Sequence, residues 1–164
     1  MPEKPAYGEL EKCVRELEKA EAERSKVEAA LRESENRYRT LFEQNLNPIA
    51  IIDTEGWYLD ANTEFLRFVD NSRESLLKKT VFDFSPPLQK GMQEKNHKNI
   101  WENGGTIETE YLIKGEIKVL ELTITPVFFK GAPAIVGVGK DITERVQARK
   151  ALADQKQRLD YILE

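Results

Sequence analysis

A strand that runs directly into a helix, near the end of the chain, is the feature that most limits what this chain can fold into. The apolar run Ala132–Val138 predicts a strand, and the charged stretch after it predicts a helix. Asp141 and Glu144 have the D-x-x-E spacing of a capping box, in which Asp141 accepts first-turn amides and Glu144 returns to its backbone N–H. With Ile142 and Thr143, they form either an ordinary helix cap or a joint that passes movement of a sheet into a helix.

The segment before this joint has the pattern of an antiparallel sheet. The strand candidates are residues 106–114, 116–129 and 132–140, which follow a strand–turn–strand pattern within residues 48–62. Gly115 and Gly131 separate the last three as hairpin turns do, and Pro126 is expected to end regular pairing within its strand. Short helices are predicted over residues 63–69, capped by Asn62, from Ser72 onwards, and over residues 88–102. This order predicts an α+β fold with one five-stranded antiparallel sheet and short helices on one face.

Helices of coiled-coil type are predicted on both sides of the sheet. Residues 9–47 contain neither Gly nor Pro, and a heptad pattern places mostly apolar residues at its a and d positions. The predicted seam consists of Leu10, Cys13, Leu17, Ala20, Val27, Leu31 and Tyr38. Arg24 and Ser34 interrupt it. Two copies of the chain are expected to pair through this seam; the alternative is a single solvated helix held by i,i+4 ion pairs.

The chain is therefore divided into three parts by its pattern. Residues 1–35 are assigned to an N-terminal coiled-coil helix, residues 36–143 to the sheet domain, and residues 144–164 to a C-terminal helix. Leu152, Leu159 and Ile162 continue a heptad-like spacing in that last helix.

Composition excludes several classes of function. The net charge is −4 and no run of Lys or Arg occurs, so nucleic-acid binding is not expected. One cysteine and one histidine cannot form a disulfide or a zinc site of the usual kind. Apolar stretches fall well short of the roughly 20 residues that a membrane helix needs, and the expectation is a cytoplasmic protein without direct membrane contact. Phosphate-binding and nucleophile motifs are absent, so this chain alone is not expected to be an enzyme.

Five motifs, in their order along the chain, resemble those of a PAS domain, the sensory module of many histidine kinases and diguanylate cyclases. They are Asn36–Glu43, Ile51–Gly56 followed by Asp60–Asn62, Trp101–Gly104, Thr125–Phe128 with Gly131, and Asp141–Glu144. The resemblance covers residues 36–145. It implies a sensory or relay module that passes a ligand- or partner-induced change to the last helix, joined to a kinase or cyclase domain in a longer protein. The alternative is a ligand-free dimerisation or assembly module.

The resemblance also implies a cavity between the helices and the sheet, where PAS relatives bind haem, flavins, carboxylic acids or nothing. The candidate lining is Phe65, Phe82, Met92, Ile100, Tyr111, Leu122 and Ile135. It is apolar, with Tyr111 as the one clear polar group, so it suits a small apolar ligand or a filled core. A carboxylate would need an arginine, and neither Arg67 nor Arg73 is convincingly placed. No tightly bound cofactor is expected.

Haem and flavin remain remote alternatives. The light-sensing flavin branch of the family needs a cysteine in its helical region, and Cys13 lies in the leading helix, so that photochemistry is excluded. Haem-binding relatives place a histidine on the long helix, and His97 lies in the predicted helix, but it falls beside the apolar face and its polar neighbours are typical of a surface histidine. Trp57 and Trp101 could stack on a flavin, although such residues are more typical of a core or its rim.

Overall fold

The computed structural model describes residues 6–87 and 98–163, and it confirms the predicted α+β fold. In chain order the elements are helix α1 (Tyr7–Glu43), strands β1 (Ile49–Asp53) and β2 (Tyr58–Ala61), helices α2 (Thr63–Val69) and α3 (Arg73–Leu76), a 3-10 helix (Val81–Phe84), helical residues 98–103 (α4), strands β3 (Gly105–Ile113), β4 (Glu116–Phe129) and β5 (Ala132–Asp141), and helix α5 (Thr143–Leu163). The described chain divides into two compact units, with the boundary between Leu41 and Phe42.

The five strands form one sheet in the order β2-β1-β5-β4-β3, and every neighbouring pair is antiparallel. The prediction that Pro126 ends pairing in its strand is wrong, because β4 continues to Phe129, which pairs with Ala132 of β5. Pairing with β3 stops earlier, at Gly105 and Ile124. Pro126 therefore lies where β4 has a neighbour on one side only, and a strand accommodates proline in that position.

The two faces of the sheet are covered by different parts of the chain. On one face, the side chain of Leu120 is fully buried in the main core with residues of α2, α3 and the 3-10 helix. Its neighbour Val119 points to the opposite face, where it packs with Ile142 and Val146 from the beginning of α5. Phe42 covers another part of that opposite face, because it packs against residues of β1 and β5. Side chains that alternate along each strand thus belong to two separate cores.

Asn62 confirms its predicted role as the cap of α2 and also connects distant parts of the chain. Its side chain is fully buried, and its Oδ1 accepts the backbone N–H of Phe65 at 3.0 Å. The same oxygen accepts the N–H of Ile49 at 2.8 Å, while Nδ2 donates to the carbonyl of Asn47 at 2.9 Å. One side chain therefore fixes the beginning of β1 and the beginning of α2 together.

Helix α1 places the predicted seam on its surface. All seven seam residues are exposed in this chain: Leu10, Cys13, Leu17, Ala20, Val27, Leu31 and Tyr38. Ion pairs of the i,i+4 type accompany them, such as Arg24 with Glu28 and Arg37 with Glu33. These pairs support a single helix by only a few tenths of a kcal/mol each, so they do not decide between a solvated helix and a paired one. Pairing through the seam stays a prediction.

Candidate functional site

A small cavity lies between the sheet and the helices of the main core. Its volume is about 50 Å³, and its lining is mostly apolar. The lining consists of Ala50, Ile52, Tyr58, Phe65, Val81, Ser85, Trp101, Ile107, Thr109, Glu110, Tyr111, Leu122, Ile124, Ile135 and Gly137. A flavin or a haem, each with tens of non-hydrogen atoms, does not fit a space of this size, since an apolar cavity known to bind benzene already measures about 150 Å³.

Four of the seven predicted lining residues meet at this cavity, namely Phe65, Tyr111, Leu122 and Ile135. Phe82 instead lines a neighbouring groove, which shares Trp101 and Ile135 with the cavity. Ile100 packs against the main core without lining the cavity. Met92, like His97, lies outside the described residues. The role of this set in binding stays a prediction.

The most unusual polar group of the cavity is the hydroxyl of Tyr58. Tyr58 is only 3% exposed, and its hydroxyl is buried without a hydrogen-bond partner in the described part of the chain. Its ring packs against Phe65, with ring centroids 5.5 Å apart, and against Phe84 at 6.1 Å. A buried hydroxyl without a partner costs free energy, so the presence of one in the wall of a cavity needs an explanation.

Tyr58 shares the cavity with Tyr111, the polar residue expected from the sequence. Burial raises the pKa of the Tyr58 hydroxyl well above its ordinary value, and the nearby Tyr111 and Asp83 raise it further. Burial also raises the pKa of Tyr111, and its interaction with Tyr58 offsets a part of this change. The two hydroxyls lie close enough to shift each other's pKa, although the Tyr58 hydroxyl has no hydrogen bond of normal geometry among the described residues. Both therefore remain neutral at physiological pH, and both are able to donate.

Two glycines of β5 keep space on this face of the sheet. Gly137 lines the cavity, and a Cβ added there would meet only the Cδ2 atom of Leu122, at 3.8 Å. Gly139 is tighter, because its Cβ would lie 3.1 Å from Leu120 Cδ1 and 3.2 Å from Leu122 Cδ2. Neither glycine has a left-handed backbone. A methyl group at position 137 is therefore a conservative way to reduce the cavity.

The joint between β5 and α5 is held by bonds that reach across the sheet. Asp141 ends β5, and its Oδ1 accepts both the N–H of Thr143, at 3.0 Å, and the Thr143 hydroxyl. The Thr143 oxygen in turn accepts the N–H of Val119 at 3.0 Å, and Ile142 donates its N–H to the Val119 carbonyl at 2.9 Å. The side chain of Glu144 makes no hydrogen bond within the described residues. The cap thus uses Thr143 in place of the reciprocal bond that the spacing predicts.

Charged side chains strengthen the contact between α5 and the sheet. Glu108 of β3 and Glu121 of β4 lie directly opposite each other, a pairing of like charges that destabilises a sheet by itself. Arg145 contacts both carboxylates, at 3.7 Å and 3.1 Å, and Arg149 contacts Glu108 at 3.4 Å. All four side chains are partly exposed, so each pair contributes little, but together they place the first two turns of α5 over β3 and β4.

The two arginines considered as carboxylate ligands are engaged within the protein. Arg67 pairs with Glu64, and Arg73 pairs with both Asp60 and Glu43. Arg73 Nη2 lies 2.6 Å from the Glu43 carboxylate. A ligand carboxylate would have to displace these partners, so the arginines do not support a carboxylate site.

Glu43 lies at the centre of this charged group and is expected to make the fold sensitive to acid. Burial raises its pKa, but the hydrogen bonds from Thr63 and the charge of Arg73 outweigh that effect and lower the pKa from its ordinary value. The folded state therefore binds this proton more weakly than the unfolded state does. The contribution of Glu43 to the free energy of unfolding is therefore complete at pH values above the pKa of the unfolded carboxyl, about 4.3. It is lost as the pH falls through the lower pKa of the folded state.

Urea denaturation of Glu43→Gln, measured at intervals from pH 6 to pH 3, tests this expectation. The variant is less stable than the parent at pH 6, and the difference narrows as the pH falls. Glu35→Gln is the matched control, because Glu35 is an exposed residue of the same helix and makes no ion pair among the described residues. A constant difference across the pH range contradicts the expectation.

Within residues 6–87 and 98–163, no group of three His, Cys, Asp or Glu side chains is placed to hold a metal ion. None of the helices in these ranges combines the length and the apolar character needed to cross a bilayer.

Comparisons with known proteins agree with this architecture. The chain is 29% identical over 137 residues to the methyl sulfide methyltransferase-associated sensor of Methanosarcina acetivorans, which covers 82% of this chain and 14% of that protein. It is 25% identical over 136 residues to the sensor histidine kinase TmoS of Ectopseudomonas mendocina, covering 79% of the chain and 14% of the kinase. The chain thus spans about one seventh of the length of these relatives.

Solved structures show the same fold. The crystal structure of the PAS domain of an HTR-like protein from Haloarcula marismortui has a TM-score of 0.60 at 18% identity, and the match covers 72% of this chain and 99% of that one. A PAS domain from a two-component sensor histidine kinase has a TM-score of 0.57 at 18% identity, covering 66% and 97%. The model of the PAS fold matches residues 42–147. Because these residues are more than half of the chain and include the whole sheet, the chain belongs to the PAS fold family.

Proposed function

We propose that this chain is the sensory and relay module of a larger signalling protein of the sensor-kinase type. In this proposal, a ligand or partner changes the sheet, and β5 passes the change through Asp141–Glu144 into α5. The observation that carries the proposal is the attachment of α5 to β4 by two hydrogen bonds, from the Ile142 N–H to the Val119 carbonyl and from the Val119 N–H to the Thr143 hydroxyl oxygen. A shift of β4 relative to β5 alters these bonds directly.

The relatives and the helices support the wider arrangement. Two of the relatives are named as a sensor and a sensor histidine kinase, and this chain would supply their kind of input to a kinase or cyclase domain elsewhere in a longer protein. The exposed seam of α1 would pair with the same seam of a second copy. A relay of this kind needs two states of the helix pair with different affinities for the input, because a ligand shifts an equilibrium only by that difference. The chain itself would carry no catalytic step.

The attachment of α5 is tested by Thr143→Val, which keeps the shape of the side chain and removes its hydroxyl. The Val119 N–H then loses its acceptor, so the base of α5 should open more easily by about 1 kcal/mol. Amide hydrogen exchange at Val119 and at residues 142–146 is expected to become about fivefold faster, which is the same free energy expressed as a ratio. Exchange in the β1–β2 hairpin should not change.

Two matched variants make this test specific. Thr143→Ser keeps the hydroxyl and should exchange as the parent does, and Glu144→Ala changes an exposed side chain of the same turn without removing a bond found in the described residues. If Thr143→Val and Thr143→Ser exchange alike, the hydroxyl does not attach α5 and the proposed route through Thr143 is wrong.

The second candidate function is a ligand-free assembly module, in which α1 and the domain only dimerise a larger protein. The exposed seam of α1 is the observation that favours it, since pairing alone would explain that stripe. The two candidates differ in one result. A relay requires that a perturbation on the cavity side of the sheet, such as Gly137→Ala, changes hydrogen exchange in residues 143–146. An assembly module leaves that exchange unchanged.

A further inference from the structure

The cavity combines a small volume, an apolar wall and one buried hydroxyl without a partner among the described residues. We propose that it is a binding site for a small neutral molecule of two to four non-hydrogen atoms whose oxygen accepts the hydroxyl of Tyr58, such as a short-chain alcohol, aldehyde or ketone. This deepens the sensory function proposed above, and it rests on that function only for its biological use.

The size of the ligand follows from the volume. An apolar cavity of about 150 Å³ binds benzene, which has six carbon atoms, so that cavity provides about 25 Å³ for each non-hydrogen atom. The 50 Å³ here corresponds to about two such atoms, and slight movement of the lining side chains allows one or two more.

The polar requirement follows from Tyr58. Its hydroxyl is neutral and buried, and the ring contacts with Phe65 and Phe84 hold it in place. A ligand oxygen that accepts this hydroxyl satisfies a group that otherwise loses its hydration without compensation. Tyr111 also lies in the lining, so an alcohol is able to accept from one tyrosine while it donates to the other. A simple hydrocarbon leaves the Tyr58 hydroxyl unsatisfied.

The charge requirement follows from the surroundings. Arg67 and Arg73 are paired with carboxylates of the protein, and neither lines the cavity. An anion placed here would lose its hydration without a cation to compensate for it, which is costly. The site therefore favours neutral ligands over carboxylates.

Titrations of the whole chain with ethanol, acetone and dissolved xenon, followed by methyl and aromatic NMR signals of Phe65, Leu122 and Ile135, test the proposal. Ethanol and acetone are expected to bind in the millimolar range. In Tyr58→Phe, their affinity should fall about tenfold, the usual effect of one lost hydrogen bond to a buried group, whereas xenon should bind as before or better. Acetate should not bind at the same concentrations.

Gly137→Ala is the second variant, and it keeps the test decisive even if Tyr58→Phe repacks. Its added methyl has room for ordinary contact with Leu122, so the fold should persist while the cavity loses volume. Ethanol, acetone and xenon should all bind less tightly to it.

Three outcomes would overturn the proposal. The first is the absence of a saturable shift with any probe in the parent protein, as expected if a fixed water occupies the site. The second is an unchanged ethanol affinity in Tyr58→Phe, and the third is unchanged affinities for all probes in Gly137→Ala. None of these outcomes affects the exchange test at Thr143, so the two proposals fail separately.

Discussion

Replacement of Asn62 by alanine is expected to destabilise the domain by about 2–4 kcal/mol. Loss of the helix cap on α2 accounts for about 1 kcal/mol. The N–H of Ile49, which is buried, also loses its acceptor, and such an unsatisfied group costs about 1–3 kcal/mol. The carbonyl of Asn47 loses its donor as well, although it lies closer to solvent.

Urea denaturation monitored by tryptophan fluorescence measures this difference in the free energy of unfolding. Ser72→Ala is the matched control, because Ser72 caps α3 through the N–H of Ser75 and makes only that local bond. It should cost about 1 kcal/mol. If Asn62→Ala costs no more than Ser72→Ala, the long-range bonds to Ile49 and Asn47 contribute nothing, and Asn62 is only a helix cap.

Replacement of Leu120 by alanine is expected to cost about 3 kcal/mol, within the usual range of 2–5 kcal/mol for a buried leucine. The side chain of Leu120 is completely buried in the main core, so its truncation to alanine leaves a void there. That void lies beside Gly139, whose added Cβ would stand 3.1 Å from Leu120 Cδ1 in the parent. A methyl group at position 139 should therefore be tolerated better once Leu120 is shortened.

A double-mutant cycle tests this coupling. The cost of Leu120→Ala with Gly139→Ala should be smaller than the sum of the two single costs by about 0.5–1 kcal/mol, as found for residues in contact. The contact of Gly139 with Leu122 persists in the double variant, so the relief is partial. Gly137→Ala is the control, since no atom of Leu120 lies near its added Cβ, and its cost should add to that of Leu120→Ala. Additive costs at position 139 contradict the packing described for this strand.

Much of the fold could be predicted because its determinants are close together in sequence. Asn62 precedes an apolar helix directly, and alternating residues mark both strands on either side of Gly115, so local pattern is sufficient for the cap, the hairpins and the α+β class. The family resemblance depended on the same local motifs. The fold was therefore accessible without knowledge of any contact between distant residues.

The site was less accessible, because its key residues depend on register. Trp57, and not Tyr58, was singled out from the sequence, as a ring that could stack on a flavin. In the structure Tyr58 faces the core while Trp57 remains half exposed, and the pairing of β1 with β2 shifts between Ile51 and Ile52. A one-residue shift exchanges the faces of a strand, and no local spacing reveals it. Similarly, the role of Thr143 depends on Val119, which lies 24 residues away.

The exposed part of α5 has a mechanical consequence. Val146 is the last buried residue of this helix, and every described residue from 147 to 163 is exposed. Because a helix rises 1.5 Å per residue, these positions form a helical segment about 26 Å long that contacts the sheet domain only near its first turns. A tilt of about 5° at Thr143 would displace the far end by about 2 Å. A small rotation at the base of α5 would thus produce a larger displacement at its C-terminal end.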